Sequence, residues 1–177
     1  MVHTNKDVDN ISKLYFESAQ KEELIRKELG DGTIVFYNKA GQLHNPYGPA
    51  VITKSDKSWY INGARHREDG PAIEYANGDY VWFKHGKKHR LDGPTSIYNG
   101  TGYNGRPEWW EEWWVDGQLH KEDGPAVTSS LCNTYYIRGK QLTKHEFDEF
   151  LKKKEFRKEI QARADNVFDD NFLKELD

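Results

Sequence analysis

The segment "HREDGPA" at residues 66–72 returns as "HRLDGPT" at 89–95 and "HKEDGPA" at 120–126, with a degraded copy, "HNPYGPA", at 44–50. A site of chemistry is needed once per molecule, whereas a device of folding is needed once per repeat, so this recurrence constrains the fold before any other feature does. An aromatic stands four places before a glycine in each of five pairs: Tyr37 and Gly41, Trp59 and Gly63, Trp82 and Gly86, Trp113 and Gly117, Tyr135 and Gly139. In the first four, a histidine follows three places after the glycine, as His44, His66, His89 and His120. A Gly-Pro pair comes four residues later, at Gly48, Gly70, Gly93 and Gly124. The fifth copy keeps only its aromatic and glycine, as a terminal capping unit does.

Each unit reads as short strands joined by turns. "WYINGARH" and "WFKHGKKH" alternate aromatic and polar residues up to an Asn-Gly or His-Gly turn, and "PAIEYANGDYVW" offers two strands around the hairpin signal Asn77-Gly78. Asp-Gly-Pro between them has the residues of a tight turn: Asp to bond the backbone ahead, Gly to take positive φ, Pro to fix φ without donating an amide. The aromatic load, Trp 6, Tyr 10 and Phe 8 against one Met, suits a pleated core. The expected fold is mainly β, with residues 31–141 forming the repeat array of about five units.

A histidine and an acid at i and i+3 also fit a catalytic dyad or a metal site. Equivalent residues of successive two-strand units lie about 9.5 Å apart, whereas the ligands of one zinc each sit about 2 Å from the ion. Neighbouring histidines therefore do not share a metal, and a dyad has no cause to recur. Half-buried imidazoles bonded to the turn or to the neighbouring Asp are the expectation, with no catalytic residues, metal or cofactor. The lone Cys132 leaves no intramolecular disulfide and suits a reducing compartment. A polar amino terminus and the lack of long apolar runs point to a cytoplasmic chain. The net charge of -3, with acids and bases interspersed, makes duplex nucleic acid an improbable partner.

The order aromatic, glycine, histidine, glycine, strand over residues 33–140 resembles MORN repeats, short β-hairpin units that stack into one elongated, twisted antiparallel sheet. The variant with His-Arg-x-Asp-Gly-Pro-Ala resembles repeats found in bacteriophage and large-virus proteins. The resemblance implies a scaffold or interaction surface without catalytic residues of its own. It also implies a viral product acting in the host cytoplasm, as an inhibitor that binds a host defence factor. The pattern departs from the usual MORN unit through the residues inserted between the histidine and the following glycine.

The flanks read as helices. Residues 1–30 form an amino-terminal cap, with Ile11, Leu14, Tyr15, Ile25 and Leu29 on one face of a helix over 8–29. Residues 142–177 form a carboxy-terminal helical segment that opens on a capping box, Thr143 and Glu146. Phe147, Phe150 and Leu151 share a docking face, whereas Phe156 and Ile160 lie almost opposite. Two kinds of covering for that second face are consistent with the sequence: a turn at Asp165 or Asn166 that folds back the stripe Phe168, Phe172 and Leu176, or a surface for a homo-oligomer or another partner. The basic run Lys152, Lys153, Lys154, Arg157 and Lys158 lies between the two faces.

Two candidate sites follow. The third interval has gained about eight residues in the stretch 99–112, which adds Tyr103, Arg106, Trp109 and Trp110. Adjacent strand residues point to opposite faces, so at least one of the two tryptophans is accessible, either to a protein partner or as cover for the insertion. Arg67, Arg90 and Lys121 follow their histidines in register, with Lys87 and Lys88 nearby. Together they form a ridge able to hold the phosphate of a nucleotide or phospholipid headgroup, unless Asp69, Asp92, Asp123 or a Glu already pairs with each cation.

Overall fold

The structure, a computed structural model, describes residues 22–101 and 107–174. Its elements run β1 (Ile25–Glu28), β2 (Ile34–Tyr37), β3 (Val51–Ile52), β4 (Asp56–Ser58), β5 (Tyr60–Ile61), β6 (Ala64–Arg65), β7 (Ile73–Tyr75), β8 (Tyr80–Val81) and β9 (Phe83–Lys84). They continue as β10 (Lys87–Lys88), β11 (Ser96–Thr101), β12 (Pro107–Glu112), β13 (Trp114–Val115), β14 (Gln118–Leu119), β15 (Val127–Ser129), β16 (Asn133–Ile137), β17 (Lys140–Leu142) and α1 (Lys144–Lys174). Eleven strands form one open antiparallel sheet in the order β1-β2-β3-β4-β7-β8-β11-β12-β15-β16-β17, while β5–β6, β9–β10 and β13–β14 are two-stranded ribbons. The expected mainly β fold, one long antiparallel sheet followed by a carboxy-terminal helix, is present.

The ribbons turn at Asn62-Gly63, His85-Gly86, Asp116-Gly117 and, within β16–β17, Arg138-Gly139, with φ near +50° and then +80° in every pair. Two consecutive positive φ values are the signature of a type I′ turn, which matches the twist of a two-residue hairpin. The Asn77-Gly78 hairpin differs: only Gly78 has positive φ, at 90°, and Tyr75 N–H donates to Asp79 O at 2.9 Å.

The chain leaves the large sheet for a ribbon at Trp59, Trp82 and Trp113. There the backbone N–H donates to the carbonyls of Ala72, Thr95 and Ala126, and the carbonyl accepts from the N–H of His66, His89 and His120. The same bonds in the first unit belong to Phe36, which donates to Ala50 O and accepts from His44 N–H. Phe36, and not Tyr37, thus holds the structural place of the tryptophans; a turn one residue longer, closed by Gly41, displaces the glycine alignment. Ala50, Ala72, Thr95 and Ala126, each the residue after Gly-Pro, are all 0% exposed. A small side chain suits a position left with no exposed surface.

Three expectations need correction. Residues Ile25–Glu28 are a strand, paired with β2 from Ile25↔Tyr37 to Glu28↔Ile34, and not the end of a helix; residues 8–21 of the expected helix lie outside the described part. Asp31 accepts Thr33 N–H at 2.9 Å and Gly32 takes φ 82°, so a turn closes this hairpin where helix was expected to stop. All four β1 residues are exposed, and Arg26, Lys27 and Glu28 charge the sheet's first edge, a common defence against edge pairing.

Second, α1 runs unbroken from Lys144 to Lys174, so no turn at Asp165 or Asn166 folds the tail back. The capping box is present: Glu146 N–H donates to Thr143 Oγ1 at 3.2 Å and Thr143 N–H to Glu146 Oε2 at 2.8 Å. Phe147, 2% exposed, packs its ring 4.7 Å from Tyr135, docking the helix on the last unit as its sequence face predicts.

Third, the glycines before proline are not in positive φ. A Cβ at Gly70 would lie 2.7 Å from Arg67 Cζ and one at Gly93 2.6 Å from Arg90 Cζ. At these two positions the arginine guanidinium fills the space a side chain would take.

Candidate functional site

The repeated histidines join one unit to the next. His44 Nδ1 accepts the backbone N–H of Asn62 at 2.9 Å, His66 that of His85 at 3.1 Å, His89 that of Asp116 at 3.2 Å, and His120 that of Arg138 at 3.0 Å. Each donor is the first positive-φ residue of the following ribbon's turn. The glycine after it donates to the preceding unit as well: Gly63 to Leu43 O, Gly86 to Arg65 O, Gly117 to Lys88 O and Gly139 to Leu119 O. A type I′ turn points both central N–H groups outward, and both find acceptors one unit back.

The residue after each of the last three histidines is a cation folded over the unit's tryptophan. Arg67 Cζ lies 4.2 Å from the Trp59 ring centroid, Arg90 Cζ 4.4 Å from Trp82, and Lys121 Nζ 3.8 Å from Trp113. Arg67 Nε donates to Asp69 at 3.0 Å and Arg90 Nε to Asp92 at 2.9 Å, while their Nη1 groups reach Pro71 O and Pro94 O. The motif's Asp therefore serves the cation and not the imidazole. Bonding to the arginine holds the Asp69 and Asp92 carboxyls below their usual range. Of the basic ridge, Arg67 and Arg90 are thus occupied, and Lys88 pairs with Glu112 at 2.7 Å. Lys87 lies exposed beside Gly117, and Lys121 covers Trp113.

His66, Glu68 and His85 bring three ligand-type atoms within 4.8 Å of one another. A neutral imidazole has one lone-pair nitrogen, and in His66 that nitrogen already accepts the His85 amide. Ligation through Nε2 would break this bond between units or require a second deprotonation. The two rings also stack, with centroids 4.4 Å apart and planes 20° apart, so their in-plane lone pairs do not converge. The cluster suits packing better than coordination.

The third interval forms the longest hairpin of the sheet, β11–β12, six residues a side, with Tyr103 and Arg106 outside the described residues. Its register pairs Tyr98 with Trp110 on one face and Asn99 with Trp109 on the other, so the two extra tryptophans do point apart. Tyr98 and Trp110 stack at 3.9 Å and 21°. With Tyr75 they wall an open groove of about 420 Å³ whose polar side includes Asp79, Lys88, Ser96 and Glu112. Tyr75, Tyr98 and Trp109 keep 42%, 41% and 40% of their surface exposed.

The groove floor is fixed by saturated carboxylates. Glu112 Oε2 accepts from Lys88 Nζ at 2.7 Å, Trp114 Nε1 at 2.8 Å and Ser96 Oγ at 2.9 Å. Burial works to raise the Glu112 pKa, but these donors outweigh it and hold the carboxyl below its usual value. Asp79, 4% exposed, accepts from Asn99 N–H at 2.7 Å and Asn77 Nδ2 at 2.8 Å. Both acids thereby organise the groove around the aromatic walls, and sequence spacing gave no sign that Tyr75, Asp79 and Glu112 converge there. Comparison with protein families, with characterised proteins and with solved structures returns no match. Among the described residues no helix is long and apolar enough to cross a membrane.

Proposed function

We propose that the chain is a stacked array of MORN-like hairpin units working as a non-enzymatic protein-binding module, with the β11–β12 hairpin as its recognition surface. The observation that carries this reading is an aromatic set: exposed Tyr75 and Tyr98 line an open groove with half-buried Trp110 on one face, and exposed Trp109 stands on the reverse. Tyrosine and tryptophan contribute large, rigid contact area and dominate binding hot spots. The rigid floor beneath them means that little side-chain ordering is left to oppose association. The partner class is a folded protein, and by the resemblance a host defence factor that the module inhibits.

The test immobilises the full chain and captures partners from lysate in parallel with a Trp109→Ala/Trp110→Ala variant whose fold is verified by circular dichroism. The expected result is a specific partner lost by the variant; retention of every partner removes this surface from consideration. A concentration-dependent rise in melting temperature with a nucleotide or phospholipid headgroup would instead support the basic ridge of Arg67, Lys87, Lys88, Arg90 and Lys121.

A further inference from the structure

The last hairpin, β16–β17, and α1 enclose an open cleft of about 500 Å³. Its floor is apolar, Ile137 from β16 and Phe150 from α1, and cations surround it: Arg138 from the β16–β17 turn, with Lys153, Arg157 and Lys158 from the helix. At about 100° per residue Phe150, Lys153, Arg157 and Lys158 fall within about 140° of the helix circumference, so one face presents them together. Lys154 and Glu122 line the cleft as well, but they pair with each other at 2.7 Å. Among the described residues the other four cations make no ion pair. Glu155 and Glu159 lie on the far side of the helix, and Asp148 and Glu149 pair with Lys144 and Lys152.

Arg138 marks how the last unit differs from the others. Its equivalents in the earlier ribbons turn their side chains onto the unit before: Asn62 Oδ1 accepts from Asn38 Nδ2 at 3.1 Å, the His85 ring stacks on His66, and Asp116 Oδ1 lies 2.9 Å from His89 Nδ1. The Arg138 side chain has no such contact among the described residues and lines the cleft instead. A chain of net charge -3 thus gathers five cations against one acid around a single depression. Cations held this closely repel one another, and an anionic occupant relieves that repulsion.

We propose that this cleft binds an acidic segment of a partner protein, with carboxylates on the four unpaired cations and one apolar side chain on the floor of Ile137 and Phe150. The lining runs along α1 from Phe150 to Gln161, about 16 Å of helix, which is the span of about five extended residues. A lone phosphate makes no use of an apolar floor, and the helix N–H groups here are bonded within the helix. A nucleic-acid strand takes its affinity in part from faces on which bases stack, whereas Phe150 is half-buried with its ring already stacked on Phe147, centroids 6.1 Å apart. Beyond the cleft a long polyanion meets a chain whose remaining charge is negative. A short acidic segment with an apolar residue matches both the charge and the floor. This site lies apart from the groove on β11–β12 and does not depend on its role.

Isothermal titration calorimetry of the full chain tests the proposal, with a five-residue peptide, blocked at both ends, that carries two glutamates on each side of a leucine. The expected result is saturable one-to-one binding with a Kd below about 1 mM, weakening as salt rises. Replacing the peptide's leucine by serine weakens binding severalfold, because the floor loses its apolar contact. Lys153→Glu/Arg157→Glu weakens it by about tenfold or more; both side chains are exposed and unpaired, so the fold is kept, which circular dichroism checks. Lys152→Glu/Arg163→Glu makes the same change of net charge on the far side of α1 and leaves the affinity unchanged. No binding of the peptide at about 1 mM overturns the proposal. So does equal weakening by the two double variants, an affinity indifferent to the leucine, or a ten-nucleotide thymidine oligonucleotide bound as tightly as the peptide.

Discussion

Gly93→Ala should change the sign of its effect with the residue at position 90. The added Cβ would lie 2.6 Å from Arg90 Cζ and 2.8 Å from Nη2, closer than any real contact, so the guanidinium must leave its seat over Trp82. Leaving forfeits the ring contact, about 1 kcal/mol when partly desolvated, and the charged hydrogen bond to Pro94 O, about 1.5 kcal/mol. The pair with Asp92 adds little, because that carboxylate is exposed and screened. Gly93→Ala in the wild type should therefore cost about 2 kcal/mol. Gly93 is not in positive φ, so once Arg90→Ala has emptied the seat the same alanine meets no clash. It then restricts the unfolded chain and stabilises by about 0.5 kcal/mol. A double-mutant cycle in urea should return a coupling of about 2–3 kcal/mol. Equal destabilisation in both backgrounds would refute the steric account and restore a requirement for unusual backbone geometry at Gly93.

Further perturbations probe other links. Ala72→Leu inserts three heavy atoms at a site with 0% exposure and should lower stability by about 1–3 kcal/mol in chemical denaturation, with Ala126→Leu behaving alike. Thr143→Ala removes the cap of α1 and should cost about 1 kcal/mol, visible as lost helical signal on heating. Burial foremost, then the charge of His85, lowers the His66 pKa, and Glu68 opposes them. The unfolded state therefore binds a proton to this ring more readily. Stability from neutral His66 is complete above the unfolded value, about 6.5, and is lost as pH falls from there toward the folded value. Melting temperature should drop more steeply from pH 7 to pH 5 in the wild type than in His66→Asn, and parallel curves would dismiss the linkage.

The β character, the ribbon turns and the helix cap were legible because each depends on residues a few places apart: Asn62-Gly63, or Thr143 with Glu146. The partner of each histidine was not, since the amide it accepts lies 18 to 27 residues downstream in the next ribbon. A signal did exist for the cation seat. Where the unit's aromatic is tryptophan the residue after the histidine is Arg67, Arg90 or Lys121, and where it is Phe36 that residue is Asn45. Ile25–Glu28 was misread because its apolar residues fit helical spacing, while pairing with β2, a tertiary effect, decides its conformation. Tyr75 and Tyr98 meet in the groove through strand order, which no local pattern encodes.

The claim on which the account rests is that the recurrent imidazoles bind one unit to the next by accepting a backbone amide at Nδ1. Long-range ¹H–¹⁵N correlation of the histidine rings reads the tautomer directly. At neutral pH His44, His66 and His120 should all carry their proton on Nε2 with an unprotonated Nδ1, and the amides of Asn62, His85 and Arg138 should exchange slowly. Rings averaging between tautomers, or protonated at Nδ1, would contradict it.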